Sequence, residues 1–379
     1  MLGLFGGKRQ CGRRNRGQTP SAVGISRLNL YDPGMSKSFS KNLISSVLSR
    51  RSEIVKGKNI DDWRFPNREP KRYDPEALLN QISFLHENRG ALDNAAALLK
   101  DDASRALLAE VMAYRALGPM HVKLPTNTPA YWDGYTRAAE WECESFHEPR
   151  APQWEFGKYR FNVDETPLDI NCWVADIVFT FIYRQYYFER QGVRIQPEIG
   201  DYVIDAGACF GDTGLCFALS VGPTGRIFSF EPMSQRGIAQ ENLDRNRPLS
   251  DRVEILPYAL SEESDQTLMF TDGGVGAKAH AKGTIEVQSL SVDDFVTRNE
   301  VKKIDLIKMD IEGSERSALA GAERTIRDFR PKLAISLYHR PDDVFFLPAQ
   351  VKAMLPDYDL YIDHYTVHNE EMVLYAIPG

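Results

Sequence analysis

The fold is decided by one stretch of sequence, Asp205-Ala206-Gly207-Ala208-Cys209-Phe210-Gly211-Asp212-Thr213. An apolar run, Tyr202-Val203-Ile204, precedes it and a segment with helical spacing follows it, which predicts a turn between a strand and a helix. Gly207 and Gly211 would let the backbone turn tightly and approach a ligand, because neither carries a Cβ. The free N–H groups at the start of the helix could bind a carboxylate. This turn is therefore the predicted ligand-binding loop.

The remainder of the carboxyl-terminal half repeats the alternation of strand and helix. Core strands are predicted at residues 202–205, 226–230, 253–257, 305–309 and 332–337, and helices at 212–220 and 234–246. Residues 267–271 and 284–287 are predicted to be an inserted pair of strands, and 360–363 and 372–377 a closing antiparallel pair. Alternation of this kind indicates an α/β fold with a doubly wound parallel sheet.

Polar residues stand where several of these strands end. Asp205, Glu231, Asp310 and His339 each stand at the end of a predicted core strand. Ligands of doubly wound sheets bind at the carboxyl ends of the strands, near the point where the strand order reverses. Glu231 lies about 20 residues beyond the loop, the spacing at which an acidic side chain can accept hydrogen bonds from ribose hydroxyls. These four residues are therefore predicted to share one site.

A dinucleotide-binding fold is the alternative interpretation of this loop. Here the glycines are spaced G-x-x-x-G with an Asp two residues ahead, whereas the dinucleotide pattern is G-x-G-x-x-G. The antiparallel ending is a second difference from that fold. Together with the resemblance described next, these differences favour S-adenosylmethionine over a nicotinamide cofactor.

The stretch Ile304-Asp305-Leu306-Ile307-Lys308-Met309-Asp310-Ile311-Glu312-Gly313-Ser314-Glu315 resembles the signature of the FkbM-type methyltransferase family. Further similarities lie in the loop that begins at Asp205, in Phe230-Glu231-Pro232, in Tyr258-Ala259-Leu260-Ser261 and in Ser336-Leu337-Tyr338-His339. The resemblance covers about residues 198–377, and it extends more weakly into 102–118. The combination is specific to the family but not to one substrate.

The resemblance implies a Rossmann-like class I methyltransferase sheet and S-adenosylmethionine as the cofactor. It also implies O-methylation of a hydroxyl on a sugar, a glycan or a related small molecule. Asp205, Gly207 and Gly211 would form the methionine side of the cofactor pocket, Glu231 would hold the ribose, and Tyr258-Ala259 would flank the adenine. The predicted pocket is completed by Ala208, Asp212, Thr213 and Pro232. The presence of Cys209-Phe210 inside the loop departs from the commonest sequence of this loop in the family.

Asp310, Glu312 and His339 are the candidate catalytic residues. A hydroxyl is a poor nucleophile until a base or a metal assists it, and histidine has the most suitable pKa for a base near neutral pH. Asp310 and Glu312 could instead complement the start of the next helix, and His339 could be a solvated loop residue. The three residues could also bind a divalent metal, but no spacing in the sequence demands one.

The chain is predicted to divide into four parts: a disordered tail at 1–40, a helical accessory region at 41–120, an ambiguous connecting or substrate-side region at 121–197, and the catalytic domain at 198–379. Residues 178–187 could form either a strand or a buried helical turn. The neighbouring aromatic residues are predicted to pack between domains rather than to stack on a sugar; they are Tyr183, Tyr186, Tyr187 and Phe188. His280 and His364 are predicted to lie on the surface.

The composition limits the kinds of partner that this chain is expected to bind. The chain has 46 Lys and Arg against 53 Asp and Glu, a formal charge of −7, so no nucleic-acid partner is expected, although a local basic groove stays open. The five scattered cysteines indicate reduced thiols, and no segment approaches the roughly 20 apolar residues of a membrane helix. A cytoplasmic protein is therefore expected, and the sequence leaves its oligomeric state open.

Two other function classes compete with methyl transfer at this stage. One is a nicotinamide-dependent oxidoreductase or epimerase, which would also use a glycine-rich loop and a later acid. The other is a binding protein that keeps the fold without catalysis. The joint presence of Asp205, Glu231, Asp310 and His339 argues against a decayed site.

Overall fold

The amino-terminal part of the computed structural model is helical. The structure describes residues 38–62, 64, 73–149, 155–271, 276–277 and 282–379. The helices are α1 (Phe39–Arg50), α2 (Pro75–Glu87), α3 (Arg89–Leu98), α4 (Asp102–Leu117) and α5 (Pro129–Trp141). Most of the predicted tail, residues 1–37, lies outside the described residues, as does His280; residues 39 and 40 of that tail belong to α1. A helical region ahead of the sheet was predicted, and α1–α4 confirm it.

The segment between α5 and the central sheet carries its own strands. Strands β1 (Glu142–His147), β2 (Glu155–Val163) and β3 (Thr166–Cys172) form an antiparallel sheet, in that order. Helix α6 (Val174–Asp176) continues into a π-helix (Ile177–Ile182), and β4 (Phe188–Arg190) pairs with β5 (Val193–Ile195). The part of 178–187 that sequence left ambiguous is therefore helical up to Ile182. All six residues of the π-helix are buried.

The carboxyl-terminal part contains the remaining strands and helices. The strands are β6 (Tyr202–Ala206), β7 (Arg226–Phe230), β8 (Val253–Leu256), β9 (Ala259–Leu260), β10 (Thr267–Phe270), β11 (Ile285–Leu290), β12 (Leu306–Met309), β13 (Lys332–Ser336), β14 (Tyr358–His364) and β15 (Met372–Pro378). The helices are α7 (Asp212–Val221), α8 (Gln235–Arg245), a 3-10 helix (Leu249–Arg252), α9 (Val292–Arg298), α10 (Glu315–Ala320), α11 (Glu323–Phe329) and α12 (Asp343–Met354).

Seven of these strands form the central sheet, in the order β14-β15-β13-β12-β6-β7-β8. Strands β13, β12, β6, β7 and β8 run parallel, and β15 is antiparallel to both of its neighbours. The strand order reverses between β6 and β12, so the carboxyl ends of these two strands border the expected ligand crevice. The doubly wound sheet, the closing antiparallel pair and the inserted pair β10–β11 were all predicted, and the structure confirms them.

Alternating residues of the strands face two different cores. Ile204 of β6 and Ile307 of β12 join the core that includes α1–α4 and α12, whereas Val203 and Leu306 face α7 and the β4–β5 pair. This is the period-2 pattern of a sheet covered on both faces. No helix among the described residues is long and apolar enough to cross a membrane.

The amino-terminal helices also cover the edge strand β14. Leu99, at the end of α3, forms a parallel bridge with Leu360, and the backbone N–H of Lys100 donates to the Leu360 carbonyl at 2.8 Å. The backbone N–H of Ile362 donates to the Ser104 hydroxyl at 2.9 Å. The Leu360 carbonyl and the Ile362 N–H are therefore satisfied from the accessory region, which leaves these two edge groups unavailable to another strand. Where one domain ends and the next begins stays a prediction.

His364, at the end of β14, is buried and only 3% exposed, so its predicted surface position is wrong. Its Nδ1 lies 3.1 Å from the Thr126 hydroxyl, and its Nε2 lies 3.4 Å from the Thr366 hydroxyl. Burial lowers its pKa to about 4 because the charged ring loses hydration.

The unfolded chain binds a proton at this residue below about pH 6.5, but the folded chain does so only below about pH 4. His364 therefore stabilises the fold fully above pH 6.5 and loses that contribution as the pH falls towards 4. Between pH 7.5 and 4.5, urea unfolding should show the wild-type free energy falling about 2 to 3 kcal/mol more than that of His364→Gln. The exposed His86, changed to Gln, is the matched control and should follow the wild type. Parallel pH curves for the wild type and His364→Gln would contradict the prediction.

Candidate functional site

A buried ion pair joins the two central strands of the sheet. Lys308 on β12 lies opposite Asp205 on β6, and its Nζ is 3.1 Å from the Asp205 Oδ1. The two side chains are 2% and 0% exposed. Burial acts to lower the pKa of Lys308, but the charges of Asp205 and Asp310 raise it overall, so the ammonium is kept. The Ser229 hydroxyl donates to the other Asp205 oxygen at 3.0 Å.

Lys308 also shapes the loop that follows β6. Its Nζ donates to the carbonyls of Ala206 at 3.1 Å and Gly207 at 2.8 Å. The Asp205 carboxylate therefore lies beneath the loop, bonded to Lys308 and Ser229, and does not face open solvent. Sequence analysis placed Asp205 at the cofactor; in the structure its carboxylate lies beneath the loop, and its part in cofactor binding stays a prediction.

Glycine is required at two places in this loop. Gly207 has φ +86°, and a Cβ there would lie 1.9 Å from the Asp310 carbonyl oxygen. Gly211 has φ +79°, and a Cβ there would lie 3.2 Å from the Cβ of Ala239. Ala208 is buried, and its N–H donates to the Phe230 carbonyl at 3.1 Å. Gly207 remains partly exposed, so a ligand can approach the backbone at the turn.

Asp212 and Thr213 form the first turn of α7 and are buried. The Thr180 hydroxyl, on the π-helix, donates to the Asp212 carboxylate at 2.6 Å. Burial raises the pKa of Asp212 to about 6. π-helical turns are frequent at functional sites, and this one fixes the entrance of α7.

Glu231 ties the ends of β6 and β7 together. Its carboxylate accepts from the N–H of Cys209 at 3.0 Å and from the N–H of Met233 at 2.9 Å. Burial raises the pKa of this carboxyl. Glu231 therefore does lie beside the loop, as expected for residues at adjacent strand ends. Pro232 and Tyr258 are partly exposed, and Ala259 is buried at the start of β9.

A second polar cluster lies at the ends of β12 and β13. The Asp310 carboxylate accepts from the Tyr186 hydroxyl at 2.7 Å and from the Tyr338 hydroxyl at 3.0 Å. The Nε2 of His339 is 3.3 Å from Asp310 Oδ1 and 3.8 Å from Glu312 Oε1. The three predicted catalytic residues are therefore brought together.

The pKa values of Asp310 and His339 are shifted in opposite directions within this cluster. Burial acts to raise the pKa of Asp310, but the charges of His339 and Lys308 and two tyrosine hydroxyls lower it overall. Burial acts to lower the pKa of His339, but hydrogen bonding to Glu315 and nearby carboxylates raise it to about 9. This raised pKa favours the protonated ring at neutral pH, and the expected role of His339 as a base stays a prediction.

Sequence analysis missed several residues of this site. Glu315, the first residue of α10, is fully buried and bonds to His339 Nδ1 at 2.8 Å. Tyr186 was assigned to packing and is indeed buried, but its hydroxyl also binds Asp310. Gln185 donates to the Tyr186 hydroxyl at 3.2 Å and to Glu371 at 2.9 Å. Tyr338, Lys308 and Glu315 stood inside the quoted motifs; nothing in the sequence pointed to Tyr186 or Gln185.

The amino-terminal region reaches this network as well. The Arg64 guanidinium lies 3.3 Å from Glu371 and 2.8 Å from Glu370. Burial opposes its charge, but these two glutamates raise its pKa overall. Hydrogen bonds and ion pairs therefore run from Arg64 through Glu371, Gln185 and Tyr186 to Asp310.

Two surface cavities lie elsewhere. One is lined by residues that include Ile54 and Met120, and the other lies at the amino-terminal ends of β6 and β7. Neither is lined by a predicted site residue.

The carboxyl-terminal part is similar to known proteins. Residues 205–361 match the family described as the methyltransferase FkbM domain. The 2-O-methyltransferase NoeI of Sinorhizobium fredii is 26% identical over 163 residues, which cover 37% of this chain and 65% of NoeI. The hexuronic acid methyltransferase AglP of Haloferax volcanii is 27% identical over 140 residues, which cover 35% of this chain and 54% of AglP. The chain thus spans less than two thirds of the length of either curated relative.

Among solved structures, the chain is similar to the methyltransferase FkbM of Methylobacillus flagellatus KT. The two share 22% identity with a TM-score of 0.49, over 78% of this chain and 60% of that one.

Removing the charge of Lys308 while keeping Asp205 leaves a buried carboxylate without its partner. Lys308→Met should lower the free energy of unfolding by about 3 to 5 kcal/mol. The double variant Asp205→Asn with Lys308→Met should recover part of that loss, because neither charge is then buried. Urea unfolding of the single and double variants gives the coupling between the two residues.

The matched control is Lys332→Met. Lys332 pairs with Glu198, which is 60% exposed, so the loss there should be at most about 1 kcal/mol. A Lys308→Met loss no larger than the Lys332→Met loss would contradict the assigned role of the buried pair.

Proposed function

We propose that this protein, whose residues 205–361 match the methyltransferase FkbM domain, transfers the methyl group of S-adenosylmethionine to a hydroxyl of a sugar, a glycan or a related small molecule. One observation carries the proposal: the glycine loop, Glu231 and the Asp310 cluster meet at neighbouring carboxyl ends of one parallel sheet. That is where a doubly wound fold holds its ligands.

The loop and the start of α7 suit the methionine part of the cofactor. Gly207 and Cys209 are partly exposed, and the amino terminus of the ten-residue α7 favours a carboxylate. Asp205 and Lys308 would hold this backbone in shape from below without touching the ligand.

Glu231 suits the ribose. An ionised carboxylate has about four lone-pair directions, and the described backbone bonds from Cys209 and Met233 use two of them. The remaining directions could accept hydrogen bonds from two ribose hydroxyls. Tyr258 and Ala259 would flank the adenine, at the carboxyl end of β8.

The Asp310 cluster suits the acceptor. In methyl transfer an O–CH3 bond forms as the S–CH3 bond breaks, S-adenosylhomocysteine leaves neutral, and the hydroxyl proton passes to a base. Asp310 is kept ionised and is partly exposed, so it can accept a hydrogen bond from the hydroxyl and then its proton. His339, already protonated, would hold Asp310 in place.

A sugar-like acceptor is supported by the relatives and by the site. The names of NoeI and AglP describe a 2-O-methyltransferase and a hexuronic acid methyltransferase. Carboxylates and tyrosine hydroxyls, such as those of Glu312 and Tyr338, are groups that hydrogen-bond to hydroxyl-rich molecules.

Gly207→Ala should weaken cofactor binding strongly while the chain still folds. A Cβ at this position meets the Asp310 carbonyl at 1.9 Å, so the loop must shift away from its position beside Asp310. Calorimetry with S-adenosylhomocysteine should show binding to the wild type and at least about 100-fold weaker binding to the variant, a loss typical of a misplaced binding element. Gly90→Ala is the control, because a Cβ there meets no atom within 4 Å. Binding of NAD instead of S-adenosylhomocysteine to the wild type would favour the oxidoreductase alternative.

Incubation with methyl-labelled S-adenosylmethionine and a panel of saccharides should place label on an oxygen of one acceptor. Asp310→Asn should lower kcat by about 100-fold or more, the usual contribution of a general base. Asp328→Asn, at an exposed position, should leave kcat unchanged. Label found only on nitrogen or carbon acceptors would overturn the O-methyl assignment.

A further inference from the structure

The His339 side chain is 3% exposed, and its two ring nitrogens face different groups. Nδ1 is 2.8 Å from Glu315 Oε1, and because an ionised carboxylate only accepts, Nδ1 carries the hydrogen. Nε2 makes no hydrogen bond in the structure, although it is buried. It points instead at Asp310 Oδ1, 3.3 Å away, and at Glu312 Oε1, 3.8 Å away.

A positive charge belongs between Nε2 and the two carboxylates, because the lone pair of a neutral Nε2 would face oxygens that have no hydrogen to donate. A proton on Nε2 supplies this charge in the metal-free protein, and a divalent cation would displace that proton and take its place. A carboxylate bonded to the far nitrogen of a histidine is also the partner that metal-binding histidines usually have. Glu315 is in that position, and it is fixed by the Ile311 N–H at 2.9 Å.

The distances fit a metal site. Two ligands that each lie about 2.1 Å from one ion, at right angles, are about 3.0 Å apart. The 3.3 Å from Nε2 to Asp310 Oδ1 is close to this value, and Glu312 Oε1 lies 3.8 Å from Nε2. Ligand atoms of Asp310 and His339 also lie within 4.8 Å of one on Glu315, which bonds to Nδ1 on the other side of the ring. Glu315 Oε2 is a second buried atom here without a hydrogen bond.

We propose that Asp310, Glu312 and His339 bind one divalent cation, with Glu315 orienting the imidazole. Two carboxylates and one imidazole suit a cation that accepts both oxygen and nitrogen, such as Mn²⁺. Asp310 is 21% and Glu312 31% exposed, so one side of the cation stays open to water or to an acceptor oxygen.

The cation would have a direct use in the chemistry. Bound to the acceptor hydroxyl, it lowers the pKa of that group and fixes the oxygen beside the methyl donor. This role rests on the proposed function, because it needs a methyl donor in the adjacent loop. Binding of the cation itself requires only the described side chains.

The test is a titration of the full chain with Mn²⁺ alone, followed by electron paramagnetic resonance. The wild type should bind one Mn²⁺ per chain and should show ¹⁴N coupling from an imidazole ligand. His339→Gln should remove the nitrogen coupling and weaken binding at least 10-fold, and Glu315→Gln should weaken it about 10- to 100-fold. Glu312→Gln, at a partly exposed position, should weaken it without disturbing the fold.

Glu254→Gln is the matched control, since Glu254 is exposed and lies by the cavity at the amino-terminal ends of the strands. It should bind Mn²⁺ as the wild type does. Near-ultraviolet circular dichroism checks that each variant is folded. If His339→Gln or Glu315→Gln is unfolded, the Mn²⁺ affinity of Glu312→Gln tests the proposal. Absence of a saturable site in the wild type, or equal binding by Glu312→Gln and Glu254→Gln, would overturn the proposal.

The two proposals fail separately in this design. S-adenosylhomocysteine binding and methyl transfer without Mn²⁺ binding would overturn the cation site alone. The opposite result would be a wild type that binds Mn²⁺ but no S-adenosylhomocysteine, with Mn²⁺ binding weakened in the variants. It would support the cation site and overturn the methyltransferase function.

Discussion

The buried pair of Lys308 and Asp205 is the constraint on which the site depends. It crosses from β12 to β6, the two strands between which the order of the sheet reverses. Its ammonium also holds the carbonyls of Ala206 and Gly207, so the pairing of the strands and the shape of the loop are fixed by the same atom. A slip of one residue in β12 would turn Lys308 to the opposite face and leave the loop unsupported. Ligand geometry is therefore linked to the register of the central strands.

Much of the fold could be predicted because strands and helices alternate clearly after residue 200. The gathering of Asp205, Glu231, Asp310 and His339 followed from the same reasoning, since parallel strands end at one edge. What these side chains touch could not be predicted. Lys308 sits in an apolar run that reads as an ordinary buried strand, and pattern alone gives no partner for it. The π-helix was ambiguous for a related reason: all six of its residues are buried, so no polar face reveals its period.

The histidines show a second limit of sequence reasoning. A reference pKa predicts a nearly neutral ring for each, but burial and neighbouring charges move His339 and His364 in opposite directions. The difference comes from residues far apart in the chain: Glu315 and Asp310 surround His339, whereas hydroxyls surround His364. A role that depends on protonation therefore has to be read from the folded neighbours. For His339 this shifts attention from proton abstraction to the charge that it shares with the carboxylates.

The cover over β14 has a consequence for work with shortened chains. In the full chain, Leu99, Lys100 and Ser104 occupy the backbone groups of this outer strand. A fragment trimmed to residues 198–379 would present them bare, as a template for joining identical molecules edge to edge. Insolubility of such a fragment would then report a missing lid on the sheet rather than an unstable catalytic fold, and a useful minimal version should begin ahead of α3.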